Sequence, residues 1–476
     1  MNLFPSSDIR LPLVRELAGD LDTPVSAYLK LAQAFDPHGS FLLESVTGGD
    51  KIARYSFLGF NPFCELKANP EQLVIRRGDH IETRAGNPID ALQTLLAQYT
   101  LPLDHLNLPS LVGGSVGFFS WESVAHIEPV AFRHSPSTVP MAHFVFPSLM
   151  LVFDHAKRKL MLIVLAEIGK ESDGHLLLKA IEKVLQTPLT APLISVPPAA
   201  SDDLFDHVTS NFSKEDFLKT VETAKRHIFE GDVFQLLLSQ KFQVPQTKAP
   251  LDIYRALRLI NPSPYMFFMN FGSYQLAGSS PEILVKLENR TATLRPIAGT
   301  RPRIFGKEQA LIDDLLKDEK ERAEHIMLVD LGRNDLGRVC ESGTICVDKL
   351  MEIETYSHVL HIASNVTGTL NSEKTAFDLL KATFPAGTLS GAPKIKAIEL
   401  IDQLEPDSRG PYGGALGYID SRGNMDVCIM IRTVLIQDGV CTVQAGAGLV
   451  ADSDPETEFY ESRNKAKGIL HACMCE

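Results

Sequence analysis

KERAEHIMLVDLGRNDLGRV, residues 320–339, carries two glutamates three residues apart on a helix that must be largely buried. Residues i and i+3 lie on the same face of an α-helix, so Glu321 and Glu324 project together. Carboxylates are rarely buried unless they are paired or bind a ligand, so two of them on one face of a buried helix suggest a binding site. Taken alone, however, this pair also fits an ordinary solvated face.

A second helix repeats the arrangement in DPETEFYESRNKAKGIL, residues 454–470, where Glu458 and Glu461 are three apart. Asp454 is a suitable cap for this helix, and Pro455 is well placed in its first turn. Mg²⁺ prefers oxygen ligands, takes few carboxylates, and leaves positions for water and an anionic substrate. Two helices with a glutamate pair each therefore predict an Mg²⁺ site.

Composition and charge narrow the class of protein. The 476 residues are 44% apolar and 22% charged, with a net charge of −13, which argues against a nucleic-acid partner. The apolar runs are too short to cross a bilayer, and the first residues do not form a secretion signal. Seven scattered cysteines without CxxC pairs favour a reduced, cytoplasmic protein.

A segment rich in Pro, Ala and Ser, residues 186–204, predicts a linker or surface strap between an N-terminal region, 1–185, and a second region, 205–476. Short alternating segments before it predict strands. The periodicity after it predicts a helix from a Ser213 cap to a stop at Gly231. Further elements are expected as helices at 308–331 and 393–404 and strands at 413–420, 426–436 and 440–448. Paired strands with interspersed helices indicate an α+β fold with antiparallel sheets.

Three stretches of small residues predict turns whose backbone N–H groups can bind an anion. They are IAGTRPR (297–303), FPAGTLSGAPK (384–394) and QAGAGLV (444–450). Neither a complete dinucleotide fingerprint nor a P-loop accompanies them, so a nucleotide cofactor is not supported.

Arg432 lies in the apolar segment CIMIRTVLI, residues 428–436, which predicts a strand. A buried arginine is costly without an anionic partner, so it answers either a substrate carboxylate or an internal salt bridge. A divalent metal, anion-binding turns and an arginine together point to a small substrate with several carboxylates.

Glu282 in GSSPE and His361 in SHVLHIAS are the acid–base candidates. A histidine in a strand is more often a hydrogen-bonded core residue than a catalyst. His325, His358 and His361 raise the alternative of a zinc site, but no HExxH or CxxC motif supports it.

Residues 213–467 resemble the chorismate-utilising enzymes. The resemblance rests on motifs found in family order: GDVFQLLLSQ, SSPE, RPIAGTRPR, DEKERAEHIMLVDLGRNDLGR, SHVLHI, FPAGTLSGAPK, YGGALGYI, IRT and AGAGLVADSDPE. The resemblance implies one elaborated fold of large antiparallel sheets with helices packed outside, to which both halves contribute.

Two positions separate the branches of this family. Members that add water resemble this chain but carry a lysine where Gln235 stands, and aminodeoxychorismate-forming members carry a lysine at the position of Ala298. Glutamine cannot act as a base towards water, and alanine cannot form a covalent adduct. The resemblance therefore implies ammonia as the nucleophile and anthranilate as the product.

The resemblance also implies the roles of the site residues. Mg²⁺ is expected on Glu324 and Glu461, with Glu321 and Glu458 as further ligands or water anchors. The other expected contacts with chorismate are Tyr412, Arg432, Gly446, Ala447 and Gly448 at the enolpyruvyl carboxylate and Gly299 and Thr300 near the ring. Glu282 is expected to protonate the leaving hydroxyl, and His361 and Thr388 to orient or assist.

The first half of the chain resembles the tryptophan feedback pocket of the anthranilate-forming branch. The residues that carry this match lie in LLES and NPSPYMFF: Leu43, Glu44, Ser45, Pro264, Tyr265 and Met266. No amidotransferase motif occurs, so a separate glutaminase subunit is expected, in a heterotetramer. Two alternatives stay open: an aminodeoxychorismate-forming enzyme, and a catalytically inactive tryptophan-binding regulator.

Overall fold

The computed structural model describes residues 10–45, 54–99, 101, 108–198, 200–355 and 359–475. These residues form 22 strands and ten α-helices. The strands are β1 Arg10–Ala18, β2 Ser40–Glu44, β3 Tyr55–Ala68, β4 Leu73–Arg77, β5 His80–Arg84, β6 Ser115–Phe119, β7 Ala142–Asp154, β8 Lys159–Glu167, β9 Thr209–Ser210, β10 Gln235–Pro245, β11 Tyr265–Asn270, β12 Tyr274–Ser280, β13 Ile283–Glu288, β14 Thr291–Leu294, β15 Ile297–Pro302, β16 Cys346–Thr355, β17 Val359–Thr369, β18 Gly391–Ala392, β19 Ala415–Ile419, β20 Met425–Ile429, β21 Thr433–Gln437 and β22 Val440–Leu449.

The α-helices are α1 Pro24–Ala34, α2 Pro88–Gln98, α3 Glu171–Leu185, α4 Lys214–Phe229, α5 Pro250–Ile260, α6 Glu308–Lys317, α7 Glu319–Gly337, α8 Ala376–Thr383, α9 Lys394–Leu404 and α10 Pro455–Met474. Two 3₁₀ helices, Trp121–His126 and Asp202–His207, complete the described elements. Among the helices of the described residues, none combines the length and the apolar character that a membrane span requires.

The sheet branches into two arms at the long strand β7, which pairs with β8, β3 and β6. One arm continues from β3 through β2, β11, β12, β21 and β22 to β10. The other continues from β6 through β19, β20, β13 and β14 to β17. All these pairs are antiparallel, which confirms the predicted α+β class.

An apolar core lies between the two arms. Phe41 of β2 and Phe267 of β11, from the first arm, belong to the same buried cluster as Phe118 of β6 and Cys428 of β20, from the second. Two further clusters bury the outer faces of the arms against the helices. The expectation of antiparallel sheets with helices packed outside is therefore confirmed.

Strands from both halves of the chain share this sheet, because β2 pairs with β11 and β6 pairs with β19. In the segment between the halves, residues 188–198 contain no helix or strand. Side chains from two helices contact its backbone. Arg255 donates to the carbonyl of Pro192 at 3.2 Å, and His471 contacts the carbonyl of Pro198 at 2.8 Å. The region boundaries at 185 and 205 stay predictions.

Three expectations about local structure were wrong. The helix expected at 308–331 is two helices, because the side chain of Asp318 caps a new one by accepting from the N–H groups of Lys320 and Glu321. The strand expected at 426–436 is interrupted at Arg432, whose φ of +51° cannot continue an extended strand. The stretches 297–303 and 444–450 were expected as turns, but residues 297–302 form β15 and residues 446–448 lie inside β22, whose ladder with β10 uses their backbone.

Candidate active site

Helices α7 and α10 bring together the four glutamates expected to bind metal. Burial and the charges of Glu321 and Glu461 raise the pKa of Glu324. Burial and the charge of Glu461 likewise raise the pKa of Glu458. The charge of Glu461 on α10 thus acts on Glu324 on α7, and a bound cation would relieve this repulsion.

The donor set at these glutamates suits Mg²⁺ without a complete protein cage. Among the described residues, no three of these carboxylate oxygens lie within 4.8 Å of one another, whereas three ligand atoms of His227, Glu230 and Asp232 do so on the surface. Mg²⁺ is commonly held by one or two carboxylates, water and an anionic substrate. The four glutamates fit that pattern.

Lys465 is a site residue that the sequence reasoning missed. Its ammonium lies 2.7 Å from the carboxylate of Glu461, one helical turn earlier, and donates to the carbonyl of Gly446 at 3.1 Å. Its charge also opposes the rise in the pKa of Glu282. The i,i+4 spacing from Glu461 could have revealed it, because that spacing places both side chains on one face of α10.

Arg432 lies inside the protein with its side chain partly accessible, and it has no carboxylate partner among the described residues. Its guanidinium donates to the backbone carbonyl of Lys465 at 2.7 Å, and burial lowers its pKa. The alternative of an internal salt bridge therefore finds no support in the described residues. Since a buried, uncompensated charge is costly, an anionic ligand would stabilise this arrangement. The positive φ adds backbone strain of the kind that is retained at functional sites.

Tyr412 and the end of β22 lie beside Arg432. The charge of Arg432 acts on the Tyr412 hydroxyl, and the backbone N–H of Gly446 lies against that hydroxyl. Strand β21 pairs only as far as Val443, so residues 446–448 have an open edge on that side. Gly446 is required here because a Cβ would lie 2.5 Å from the carbonyl oxygen of Leu238. Ala447 and Gly448 continue the same edge.

Glu282 and Thr388 form the polar pair on the other side of the site. The Thr388 hydroxyl donates to the Glu282 carboxylate at 3.1 Å. Glu282 lies deep in the protein while its surface stays partly open to internal space, and burial raises its pKa to about 7. A carboxyl group with such a pKa can hold a proton near neutral pH and release it to a substrate.

Gly299 and His361 meet across the β15–β17 pair. The register shifts at Gly299, whose φ is +69°, and the ring of His361 contacts the carbonyl oxygen of Gly299 at 3.0 Å. A Cβ at Gly299 would lie 3.2 Å from the carboxylate of Glu321, so the bulge lies against the acidic cluster. Burial lowers the pKa of His361, which favours a neutral ring. The side chain of Thr300 lies outside the described residues.

Gln235, at the start of β10, has a buried acceptor without a partner among the described residues. Its side-chain oxygen makes no hydrogen bond, and its amide nitrogen lies 3.3 Å from the position of a Cβ built at Gly448. A buried unsatisfied acceptor costs about 1–3 kcal/mol, which a ligand with N–H groups would recover.

The zinc alternative is not supported by the histidines that the structure describes. The ring of His325 contacts the hydroxyl of Ser364 at 2.5 Å inside the core, while His361 contacts Gly299 instead. His358 lies outside the described residues.

The two motifs expected to form the tryptophan pocket lie on neighbouring strands. Met266 of β11 stands opposite Glu44 of β2, so Leu43, Glu44 and Ser45 lie beside Pro264, Tyr265 and Met266. The Tyr265 hydroxyl donates to Asp426 of β20 at 2.9 Å. Chain positions more than 200 residues apart are thus adjacent, although their role stays a prediction.

Glu44 makes contacts within the protein that were not predicted from the sequence. The hydroxyl of Tyr254 and the guanidinium of Arg258, both on α5, contact its carboxylate at 2.5 and 2.9 Å. These contacts already compensate its charge. The amino group of a ligand would therefore compete with Tyr254 and Arg258 for this carboxylate.

Comparison with known proteins agrees with this geometry. The family described as "chorismate binding enzyme" matches residues 39–471. Anthranilate synthase component 1 of Acetivibrio thermocellus is 44% identical over 97% of this chain and 95% of its own length. That of Synechocystis sp. (strain ATCC 27184 / PCC 6803 / Kazusa) is 45% identical over 97% of this chain and 96% of its own length.

A solved structure extends the similarity to the whole fold. The crystal structure of anthranilate synthase component I from Streptococcus pneumoniae TIGR4 superposes with a TM-score of 0.79 at 37% identity, covering 96% of this chain and 99% of that one. The chain therefore belongs to the chorismate-binding enzymes and, within them, to the anthranilate synthase component 1 family.

Proposed function

We propose that this chain converts chorismate and ammonia into anthranilate and pyruvate with Mg²⁺ bound, under feedback inhibition by tryptophan. The observation that carries the proposal is the guanidinium of Arg432, which has no carboxylate partner among the described residues and lies beside Tyr412. Chorismate has two carboxylates, and this site offers two separate places for them.

The enolpyruvyl carboxylate is the group we assign to Arg432, the Tyr412 hydroxyl and the N–H groups at the open edge of β22. When bound at Glu324 and Glu461, Mg²⁺ supplies Lewis-acid stabilisation for the ring carboxylate. Glu321 and Glu458 hold the surrounding water in this scheme, and Gly299 with Thr300 lie near the ring.

Ammonia is the nucleophile that the lining favours. The free side-chain oxygen of Gln235 accepts one N–H bond and orients the nitrogen lone pair towards C2 of the ring. Ammonia adds at C2 as the C4 hydroxyl takes the proton of Glu282 and departs as water. Thr388 keeps that carboxyl oriented, and neutral His361 helps to hold the ring. Loss of the C2 proton and elimination of pyruvate then give the aromatic product.

The alternative product, aminodeoxychorismate, has no specific support. Covalent attack on the ring would need an amine at position 298, and Ala298 supplies none. Because the chain has no amidotransferase motif, we infer a separate glutaminase subunit as the ammonia source, in a heterotetramer. Tryptophan is proposed to bind between the β2 and β11 ends, where Ser45, Pro264, Tyr265 and Met266 lie.

The test is product formation by the purified chain with chorismate, Mg²⁺ and concentrated ammonium at alkaline pH. We expect fluorescent anthranilate and pyruvate in equal amounts, lost with EDTA or tryptophan. Aminodeoxychorismate would contradict the assignment based on Ala298. Tryptophan binding without any product would identify an inactive regulator.

The metal assignment has a separate readout, since Mn²⁺ substitutes for Mg²⁺ and is visible by electron paramagnetic resonance. We expect Glu324→Gln to weaken Mn²⁺ binding at least tenfold and to abolish turnover while tryptophan still binds. Glu341→Gln is the control, because Glu341 is an exposed glutamate after the end of α7. Equal Mn²⁺ binding in both variants would contradict the assignment.

A further inference from the structure

A small, partly open cavity lies beside Glu282. Its volume is about 60 Å³, and its lining is mostly apolar, with Glu282, Thr388, Thr383, Asp335 and Arg295 as the polar side chains. Positions 324, 328, 332 and 335 recur on one face of α7, so the cavity continues the active site along the same helix. One water needs about 10–15 Å³, so the cavity has room for several, and these polar side chains can hydrogen-bond to them.

Asp335, on the lining of this cavity, pairs with Lys394. The Lys394 ammonium lies 3.4 Å from the Asp335 carboxylate and 3.5 Å from the carbonyl oxygen of Thr383. The two side chains are only 13% and 14% exposed, so the pair is buried yet touches solvent. Beyond it, Arg338 pairs with Glu128 at 3.5 Å on the surface.

Asp335 and Glu282, the two carboxyl groups on the lining of the cavity, both have raised pKa values. Burial raises the pKa of Asp335 against the opposing charges of Lys394 and Arg338, and burial raises the pKa of Glu282 against Thr388 and Lys465. Burial also lowers the pKa of Lys394, near which Arg338 and Glu128 are the other charges. Both carboxyl groups are therefore shifted towards their protonated forms, which favours the passage of a proton between them.

The proposed function creates a need that this arrangement meets. Glu282 gives up a proton each time the C4 hydroxyl leaves, and it must regain one before the next turnover. The chorismate site itself is filled by substrate or product at that moment. We propose that Asp335 returns the proton to Glu282 through water in the cavity. This inference rests on the proposed function, and Asp335 acts in it as a relay that never touches the substrate.

The proton balance is complete. The C4–O bond breaks as Glu282 protonates the departing oxygen, which leaves as water. The Glu282 carboxylate then takes a proton from cavity water, and the Asp335 carboxyl restores that proton to the water. Asp335 is reprotonated from solvent at its exposed edge. The ammonium group of the adduct releases one proton to solvent, so the cycle consumes none.

The test compares Asp335→Asn with Asp330→Asn, an exposed aspartate of the same helix that pairs with Arg333 on the surface. For Asp335→Asn we expect kcat to fall about 10- to 100-fold, in the range of acid–base effects, with the KM for chorismate within about twofold. The solvent isotope effect on kcat should rise. The rate divided by the free ammonia concentration should also begin to fall at a lower pH than it does in the wild type. Asp335→Glu should restore both.

A second variant keeps the test decisive if Asp335→Asn does not fold. A Cβ at Gly332 would make ordinary contact at 3.4 Å with Leu294, so Gly332→Val can fill the cavity while Asp335 stays in place. It should reproduce the loss of kcat and the raised isotope effect. Melting temperature and tryptophan binding check the fold of each variant.

Each outcome decides between distinct claims. An inactive wild-type chain would overturn the proposed function itself. Active wild type with unchanged kcat, isotope effect and pH profile in folded Asp335→Asn and Gly332→Val would overturn the relay alone. A raised KM for ammonium at unchanged kcat would also overturn it, because the cavity would then convey ammonia.

Discussion

At the residue scale, the site contains polar groups that have no matching partner among the described residues. Arg432 has a buried charge without a carboxylate among the described residues, and Gln235 has a buried oxygen without a donor. Each of these groups lowers the stability of the free protein. Each would be stabilised by a ligand, an anion at Arg432 and an N–H donor at Gln235. This complementarity, more than any motif, explains why an anion and an N–H donor fit here.

Arg432→Gln should weaken the enzyme selectively. A charge-assisted hydrogen bond contributes about 1.5–3 kcal/mol, so kcat/KM for chorismate should fall about 10- to 200-fold. Removing a buried, uncompensated charge should meanwhile leave the melting temperature equal or higher. Arg333→Gln is the control, because Arg333 is exposed on α7 and pairs with Asp330. A kcat/KM equal to that of the control would show that Arg432 binds no substrate carboxylate.

Glu282 should impose a pH limit on catalysis. Its pKa is raised to about 7, so the protonated form that acts as an acid is lost as pH rises through that value. Free ammonia increases over the same range, which makes the raw profile bell-shaped. Divided by the free ammonia concentration, the rate should fall tenfold per pH unit above about pH 7. Glu282→Gln should lower kcat about 10²- to 10⁴-fold, and a profile that stays flat up to pH 9 would contradict the role.

At the element scale, strand pairing and helix faces assemble the site. The ladder between β10 and β22 sets Gly446 opposite Ser239 and leaves an open edge beside Tyr412. Helices α7 and α10 direct their glutamates into the same space because each repeats an i,i+3 pair. The spacing of these glutamates was readable in the sequence. The break at Arg432 was not, since its apolar neighbours indicate an uninterrupted strand.

Gly446→Ala and Gly448→Ala should separate packing from ligand contact on one strand. A Cβ at Gly446 would lie 2.5 Å from the Leu238 backbone, which cannot move away, whereas at Gly448 the nearest atom is the mobile Gln235 amide at 3.3 Å. We expect Gly446→Ala to lower the free energy of unfolding by about 1–3 kcal/mol. Gly448→Ala should spare stability and lower kcat. Equal melting temperatures for the two variants would contradict this account.

At the scale of the whole molecule, the two arms of the sheet join the proposed inhibitor pocket to the candidate active site. Tyr265 contacts Asp426 on β20, and three residues later the backbone N–H of Ile429 donates to the carbonyl of Glu282. A short run of one strand therefore links the proposed tryptophan pocket with the proposed acid. Each ligand would then affect the affinity for the other by the same factor.

Ser45→Ala should weaken inhibition and spare catalysis. Ser45 follows β2, and its strand neighbour Glu44 stands opposite Met266 on β11, far along the chain from the catalytic motifs. Loss of one hydrogen bond to the inhibitor should raise the tryptophan concentration for half inhibition about three- to tenfold. Uninhibited kcat should stay within about twofold. A parallel loss of activity in a folded variant would contradict the separation of the two sites.

Much of this architecture could be predicted from the chain because local signals agreed with tertiary structure. The Ser213 cap and the Asp454 cap begin helices as expected, since each side chain accepts from a backbone N–H three residues on. Arrangements across distant segments could not be predicted. The commitment of Glu44 to Tyr254 and the pairing of Asp335 with Lys394 join residues that are far apart in sequence.

The most direct measurement is a single turnover of the purified wild-type chain with chorismate, Mg²⁺ and ¹⁵N-labelled ammonium, followed by mass spectrometry and NMR. We expect anthranilate with the label on its amino nitrogen and one pyruvate per anthranilate. Isochorismate or another unlabelled product of water addition, or a labelled product that retains the enolpyruvyl group, would contradict it.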